Sequence, residues 1–137
     1  MVKTYDARMI IITLGSHIVS GAVDGDFCTI EPHGDGVAKS VGAYGEVVRS
    51  IDPDKTLTIT LGLQYGAETL KYCGDMYAMD RDTNGGGEFS ILITDLKGTT
   101  LCSAEIAWVE NVPSMAYGKE ASDREIVIAT GPADYKL

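Results

Sequence analysis

The chain has 137 residues, 45% of them apolar, with 20 acidic against 11 basic side chains and a net charge of −9. That length suits one domain with a core of its own. No apolar run approaches the roughly 18 residues of a membrane span, and no Lys/Arg cluster exists to release counterions from nucleic acid, so the chain would repel DNA rather than hold it.

The acidity is spread: residues 1–68 hold 9 acids against 5 bases, and residues 69–137 hold 11 against 6. Cys28, Cys73 and Cys102 are far apart and odd in number, with no CxxC, so a zinc knuckle and a thioredoxin motif are excluded. Buried free thiols in a reducing compartment are the expectation. The opening Met1-Val2-Lys3-Thr4-Tyr5-Asp6 lacks a signal peptide's order of basic, apolar and small residues. Synthesis in a cytoplasm is expected.

In chain order, Ala7–Leu14 reads as a first strand. Gly15-Ser16 turns it into a partner, His17–Gly21. Asp24-Gly25-Asp26 is a second turn before a third strand, Phe27–Glu31. Pro32 to Gly45 carries one proline, Pro32, and four glycines, Gly34, Gly36, Gly42 and Gly45. It reads as a long loop with a short strand at Val37–Val41, and loops of that length are usually functional or disordered. Glu46–Ser50 is extended, and Asp52-Pro53-Asp54-Lys55 turns.

Thr56-Leu57-Thr58-Ile59-Thr60-Leu61 then alternates strictly, as a strand with one buried face requires. Leu57, Ile59 and Leu61 should enter the core. Thr56, Thr58 and Thr60 form a short, uncharged face that suits solvent, a lumen wall or a subunit interface. From Ala67 to Met79 the period changes: Leu70, Cys73 and Tyr77 fall at spacings of three and four, one face of a helix. Asp80 to Gly87 breaks it. Glu88–Thr94 and Thr99–Glu110 read as strands around Asp95-Leu96-Lys97-Gly98. Ser122–Thr130 closes the pattern, with Arg124, Ile126 and Ile128 alternating against Glu125, Val127 and Ala129. The expected class is mainly β (α+β): an antiparallel barrel or sandwich of short strands with one helix packed on it, in a single domain over 1–137.

Catalytic chemistry finds little support. His17 and His33 have no nucleophile signature beside them. Gly85-Gly86-Gly87 follows a helix instead of opening one and lacks the Lys-Ser/Thr of a phosphate cradle. Asp80-Arg81-Asp82-Thr83-Asn84-Gly85 fits the first half of a calcium loop, with oxygens from Asp80, Asp82 and Asn84. Its eighth position is Gly87 and its twelfth is Ile91, where an apolar residue and a bidentate Glu belong. A plain helix-to-strand turn is the stronger reading of the two. No other metal and no cofactor is expected. Trp108 and the dispersed tyrosines are core or interface anchors rather than a base-stacking platform, which needs basic neighbours.

One further pattern runs through nearly the whole chain. It comprises Thr4-Tyr5-Asp6, Gly21–Phe27, Val41-Gly42-Ala43-Tyr44-Gly45-Glu46-Val47-Val48-Arg49-Ser50, Asp95–Thr100, and Trp108-Val109-Glu110 through Pro113 to Tyr117–Glu120 and Arg124-Glu125. Together these stretches resemble the tail tube (inner tube) proteins of contractile-tailed bacteriophages. The match is weakest over Tyr65–Gly87, so the calcium-like run stands outside it.

The resemblance implies a non-enzymatic virion protein, made in the host bacterial cytoplasm. Its subunits would form hexameric rings that stack into a hollow tube, inside a sheath protein. Tape-measure and baseplate proteins would be further partners, and DNA would pass without sequence-specific binding. The loop 32–45, through Pro32, His33, Asp35, Val37, Lys39, Val41, Ala43 and Tyr44, would make the contact between rings. Arg49, Arg124, Glu125, Thr56, Thr58 and Thr60 are candidates for contacts between subunits. Open strand edges, normally an aggregation hazard, would be put to use by such pairing. Two alternatives remain beside the tube subunit: a tail terminator or other ring protein of the same fold, and a small calcium-dependent binding module. A barrel-type ligand carrier or enzyme is a third class, for which no residue set can be named.

Overall fold

The computed structural model describes residues Val2–Leu137. In chain order its strands are β1 (Ile10–Leu14), β2 (His17–Ile18), β3 (Cys28–Pro32), β4 (Val37–Val41), β5 (Val47–Ile51), β6 (Leu57–Leu63), β7 (Phe89–Asp95), β8 (Leu101–Asn111), β9 (Arg124–Thr130) and β10 (Ala133–Lys136). The single α-helix among these residues, α1, is Glu68–Asp82. Every strand pairing is antiparallel. The main sheet runs β2-β1-β7-β8-β9-β6-β3, with β10 paired to β8, while β4 and β5 pair only with each other. The class is the expected one, antiparallel β with one helix.

Alternation builds this core. β6 buries Leu57, Ile59, Leu61 and Leu63 and leaves Thr58 and Thr60 half-buried on the other face. Its neighbour β9 buries Arg124, Ile126, Ile128 and Thr130, and β7 buries Phe89, Ile91 and Ile93. In β8 the phase slips: Cys102 and Ala104 point inward, Glu105 and Ile106 are both exposed, and Ala107 and Val109 point inward again. The register against β7 shifts over the same stretch and that against β9 shifts between Val109 and Asn111. Bulges of this kind bend a strand. They let β8 serve β7 and β10 with its first half and β9 with its second.

The helix packs against β8 and β2. Thr69, fully buried, accepts from Ser20 N at 3.0 Å and donates to Ser20 O at 3.2 Å, and His17 Nε2 lies 2.9 Å from the same hydroxyl. Tyr72 stacks on the His17 ring at 4.8 Å and meets Phe89 edge-on at 6.2 Å. A buried hydroxyl is tolerable when its bonding is satisfied in this way.

Several sequence-based expectations shift. Ala7–Met9 is a 3-10 turn, capped by Asp6 accepting from Arg8 N, so strand β1 begins three residues late. The short strand expected at Val37–Val41 is β4, and the new feature is its pairing with β5, which makes the segment part of a hairpin. The helix runs to Asp82, three residues beyond Met79. The chain does not close at Thr130, because β10 returns to pair with β8.

Candidate assembly surface

Residues 37–51 form a two-stranded arm whose every position is exposed. Its register pairs Val37 with Ile51, Lys39 with Arg49, and Val41 with Val47. Directly opposed residues share a face, so four aliphatic side chains and two cations stand together on one side of it. Ala38, Ser40, Val48 and Ser50 make the other side. Tyr44, at the tip, is 93% exposed. Scattered exposed hydrophobics are ordinary, but a contiguous set on an isolated hairpin marks a contact surface.

The arm is tied at its root. Asp52 N donates to Gly36 O at 2.9 Å, and the Asp52 carboxylate accepts from Asp35 N and Asp54 N at 2.8 and 2.9 Å. Asp54 in turn accepts from both the N–H and the hydroxyl of Thr56, which hold its carboxyl below the usual range. Thr56 therefore ends a turn and does not stand with Thr58 and Thr60 on the strand. Pro32 closes β3 opposite Leu57, and His33 is hydrogen-bonded to the Thr58 hydroxyl. The predicted contact residues thus divide. Pro32, His33 and Asp35 belong to the root, Val37, Lys39 and Val41 to β4, and Ala43 and Tyr44 to the tip, with Arg49 on β5.

Two other expectations change more. Arg124 is only 4% exposed. Its guanidinium donates to Ala116 O at 3.1 Å, Ser122 O at 2.8 Å, Asp123 O at 3.3 Å, the Ser122 hydroxyl and Met115 Sδ, and it sits 5.8 Å from the Tyr117 ring. It fastens the segment 112–123 onto β9 within its own chain, which leaves no free guanidinium for an ion pair across a subunit boundary. Glu125, its neighbour, is exposed.

The calcium-like run is a helix end. Asp80 and Asp82 both lie inside α1, two residues and so about 200° apart around its axis. Gly85 N donates to Asp80 O and Asn84 takes a left-handed φ of 58°, the closure of a Schellman motif. The Asp80 side chain accepts from Gly87 N at 3.3 Å. The helical turn thus points the two carboxylates apart instead of converging them on a cation. Among the described residues no three His, Cys, Asp or Glu side chains are grouped to hold a metal.

The ends of the sheet are open. β3 pairs only with β6, and its other edge faces back toward β1 and β7 across a groove of about 230 Å³. Ile10, Phe27, Ile30 and Ile93 line the groove, with Asp26 and Asp95 also on its wall and no Lys or Arg. Sequence reasoning missed this feature. The signal was thin: Asp26 and Asp95 each sit in a turn-like run, and only the curl of the sheet brings them together. Among the described residues no helix is long and apolar enough to cross a membrane.

No family model and no curated protein matches the chain. The fold, however, is shared from end to end with solved structures. A chain of the anti-feeding prophage cap (AFP tube terminating cap) superposes with a TM-score of 0.62 at 14% identity, over 99% of this chain and 94% of that one. A chain of the PVC sheath–tube complex, an extracellular contractile injection system in its extended state, gives 0.57 at 14% identity, over 97% and 91%. A chain of the PVC sheath/tube terminator gives 0.54 at 13% identity, over 99% of both. This chain therefore shares its fold with those three chains.

Proposed function

We propose that this chain is a non-enzymatic, ring-forming subunit of a contractile tail tube, and that it closes the tube's end. The observation that carries the reading is the full-length fold likeness to chains from two structures described as a tube terminating cap and a sheath/tube terminator, with coverage of 94% and 99% of those chains. The open sheet edges and the unpartnered arm fit it independently, since both are surfaces that a lone subunit leaves unsatisfied. Six copies would make a ring. Neighbours in the machine would be tube and sheath proteins, with tape-measure and baseplate proteins at earlier stages of assembly. A charge of −9 suits a wall that DNA passes without adhering.

The repeating tube subunit is the second reading. It is favoured by the sheath–tube neighbour and by the tail-tube resemblance of residues 41–50. In that case the arm makes the contact from ring to ring.

Electron microscopy of the concentrated protein separates the two. Discrete six-fold rings that remain single support the closing role. Hollow tubes of uniform width support the repeating subunit. Single chains at every concentration would remove ring formation as a property of this chain.

A further inference from the structure

The arm carries Lys39 and Arg49 against Glu46, a net +1, which leaves −10 on the rest of the chain. The two cations are direct cross-strand partners. Like charges so opposed destabilise a hairpin, and a two-stranded hairpin alone is marginal in water. Among the described residues neither has an ion-pair partner, the one ion pair there being Arg8–Asp6. One face of the arm therefore reads aliphatic, doubly cationic, aliphatic, from Val37/Ile51 through Lys39/Arg49 to Val41/Val47. Such a face needs a surface that is apolar and doubly acidic.

The same chain supplies one. The groove between β3 and the β1/β7 pair has an aliphatic and aromatic floor in Ile10, Phe27, Ile30 and Ile93, and its only charged lining residues are Asp26 and Asp95. Asp95 is held in place because its carboxylate accepts from Lys97 N and Gly98 N at 3.0 and 3.1 Å. The groove is smaller than the 300–1,000 Å³ typical of small-ligand pockets. It suits a few projecting side chains better than a metabolite. Around Asn111–Ser114 and Asp123–Val127 a second acidic hollow exists, but Arg124 lines it and fewer apolar groups do.

We propose that the arm of one copy lies in this groove of a neighbouring copy, with Lys39 and Arg49 against Asp26 and Asp95 and the flanking valines and Ile51 on the apolar floor. The contact rests on the ring-forming reading and deepens it. Arm and groove are different patches of one chain, so the interface is heterologous. Repeated, such an interface closes into a ring or winds into a stack.

Zero-length carbodiimide coupling of the full chain tests this, using mixed isotope-labelled and unlabelled copies so that only joins between copies are scored by peptide mass. The expected products join Lys39 to Asp26 or to Asp95. In parallel, Lys39→Glu with Arg49→Glu should raise the concentration needed for assembly at least tenfold. Adding Asp26→Lys to that pair should restore much of it, and Asp26 is exposed, so the exchange should leave the fold intact. Coupling of Lys39 to Asp123, Glu125 or any other carboxylate of a second copy, or assembly indifferent to Asp26→Lys, overturns the groove as the acceptor and leaves ring formation standing. A wild-type chain that yields no coupling between copies and never assembles overturns both.

Discussion

β6 and the arm are built from similar residues and end in opposite environments. Leu57-Thr58-Ile59-Thr60-Leu61 alternates apolar with polar, and a sheet partner on each side fixes which face the core receives. Val37–Val41 and Val47–Ile51 are nearly as rich in β-branched residues, yet all ten positions are exposed because each strand has only the other. Composition sets the preference for extended backbone. Burial is decided by what lies across the strand, which is a property of the whole chain and, for the arm, of a second molecule.

The largest expected effect breaks this comparison at the arm. Excising residues 37–51 and joining Gly36 to Asp52, whose backbones already meet at 2.9 Å, should abolish assembly. The thermal midpoint should hardly move, since the arm buries nothing in its own subunit. Paired electron microscopy and thermal melts read both quantities, and a large drop in melting temperature would show that the arm belongs to the core.

Leu61→Ala should do the reverse. Leu61 is fully buried, and truncation of such a leucine costs about 2–5 kcal/mol. Denaturant titration should show that loss, while any chains that remain folded still assemble. Arg124→Met comes next. It would orphan the Ala116 and Ser122 carbonyls at a cost of about 1–3 kcal/mol, and limited proteolysis should then cut within 112–123 faster than in the parent.

The smallest effect is alkaline. Burial pushes the Cys28 thiol up to about 11, with the nearby Cys102 adding to the rise, and burial alone pushes Cys73 to about 12. An unfolded thiol ionises near 8.5. Between those values the unfolded chain has released protons that the native chain keeps, so stability falls as pH rises. Comparing urea midpoints of the parent and Cys28→Ala at pH 8 and 10.5 isolates the Cys28 share. A parent slope equal to that of the variant would mean the thiol does not ionise differently on unfolding.

The sequence was most readable where a period ran long enough to count. The alternation in β6 and β9 and the helical spacing of Leu70, Cys73 and Tyr77 each place core residues that the structure packs. It was least readable where pairing partners are distant or the run is short. β10 has four residues, two of them exposed, and its partner lies some thirty positions away. Arg124 falls on the inward face of an alternating strand, and that position already signalled burial; its charge argued for the surface. Backbone carbonyls supplied by the 112–123 segment resolve the conflict, and no local pattern announces them. The Asp80–Gly85 run shows the converse. Its residue types suit a cation, but its backbone is spent on ending a helix.

The root of the arm has a mechanical consequence. Eight residues separate Asp52 from Tyr44, and at about 3.4 Å per residue the tip stands roughly 25 Å away. On a lever of that length a 10° change at the root sweeps the tip through about 4 Å, close to one strand spacing. The aim of the arm is thus set by the few hydrogen bonds that Asp52 makes, and a single carboxylate governs where a distant tyrosine lands.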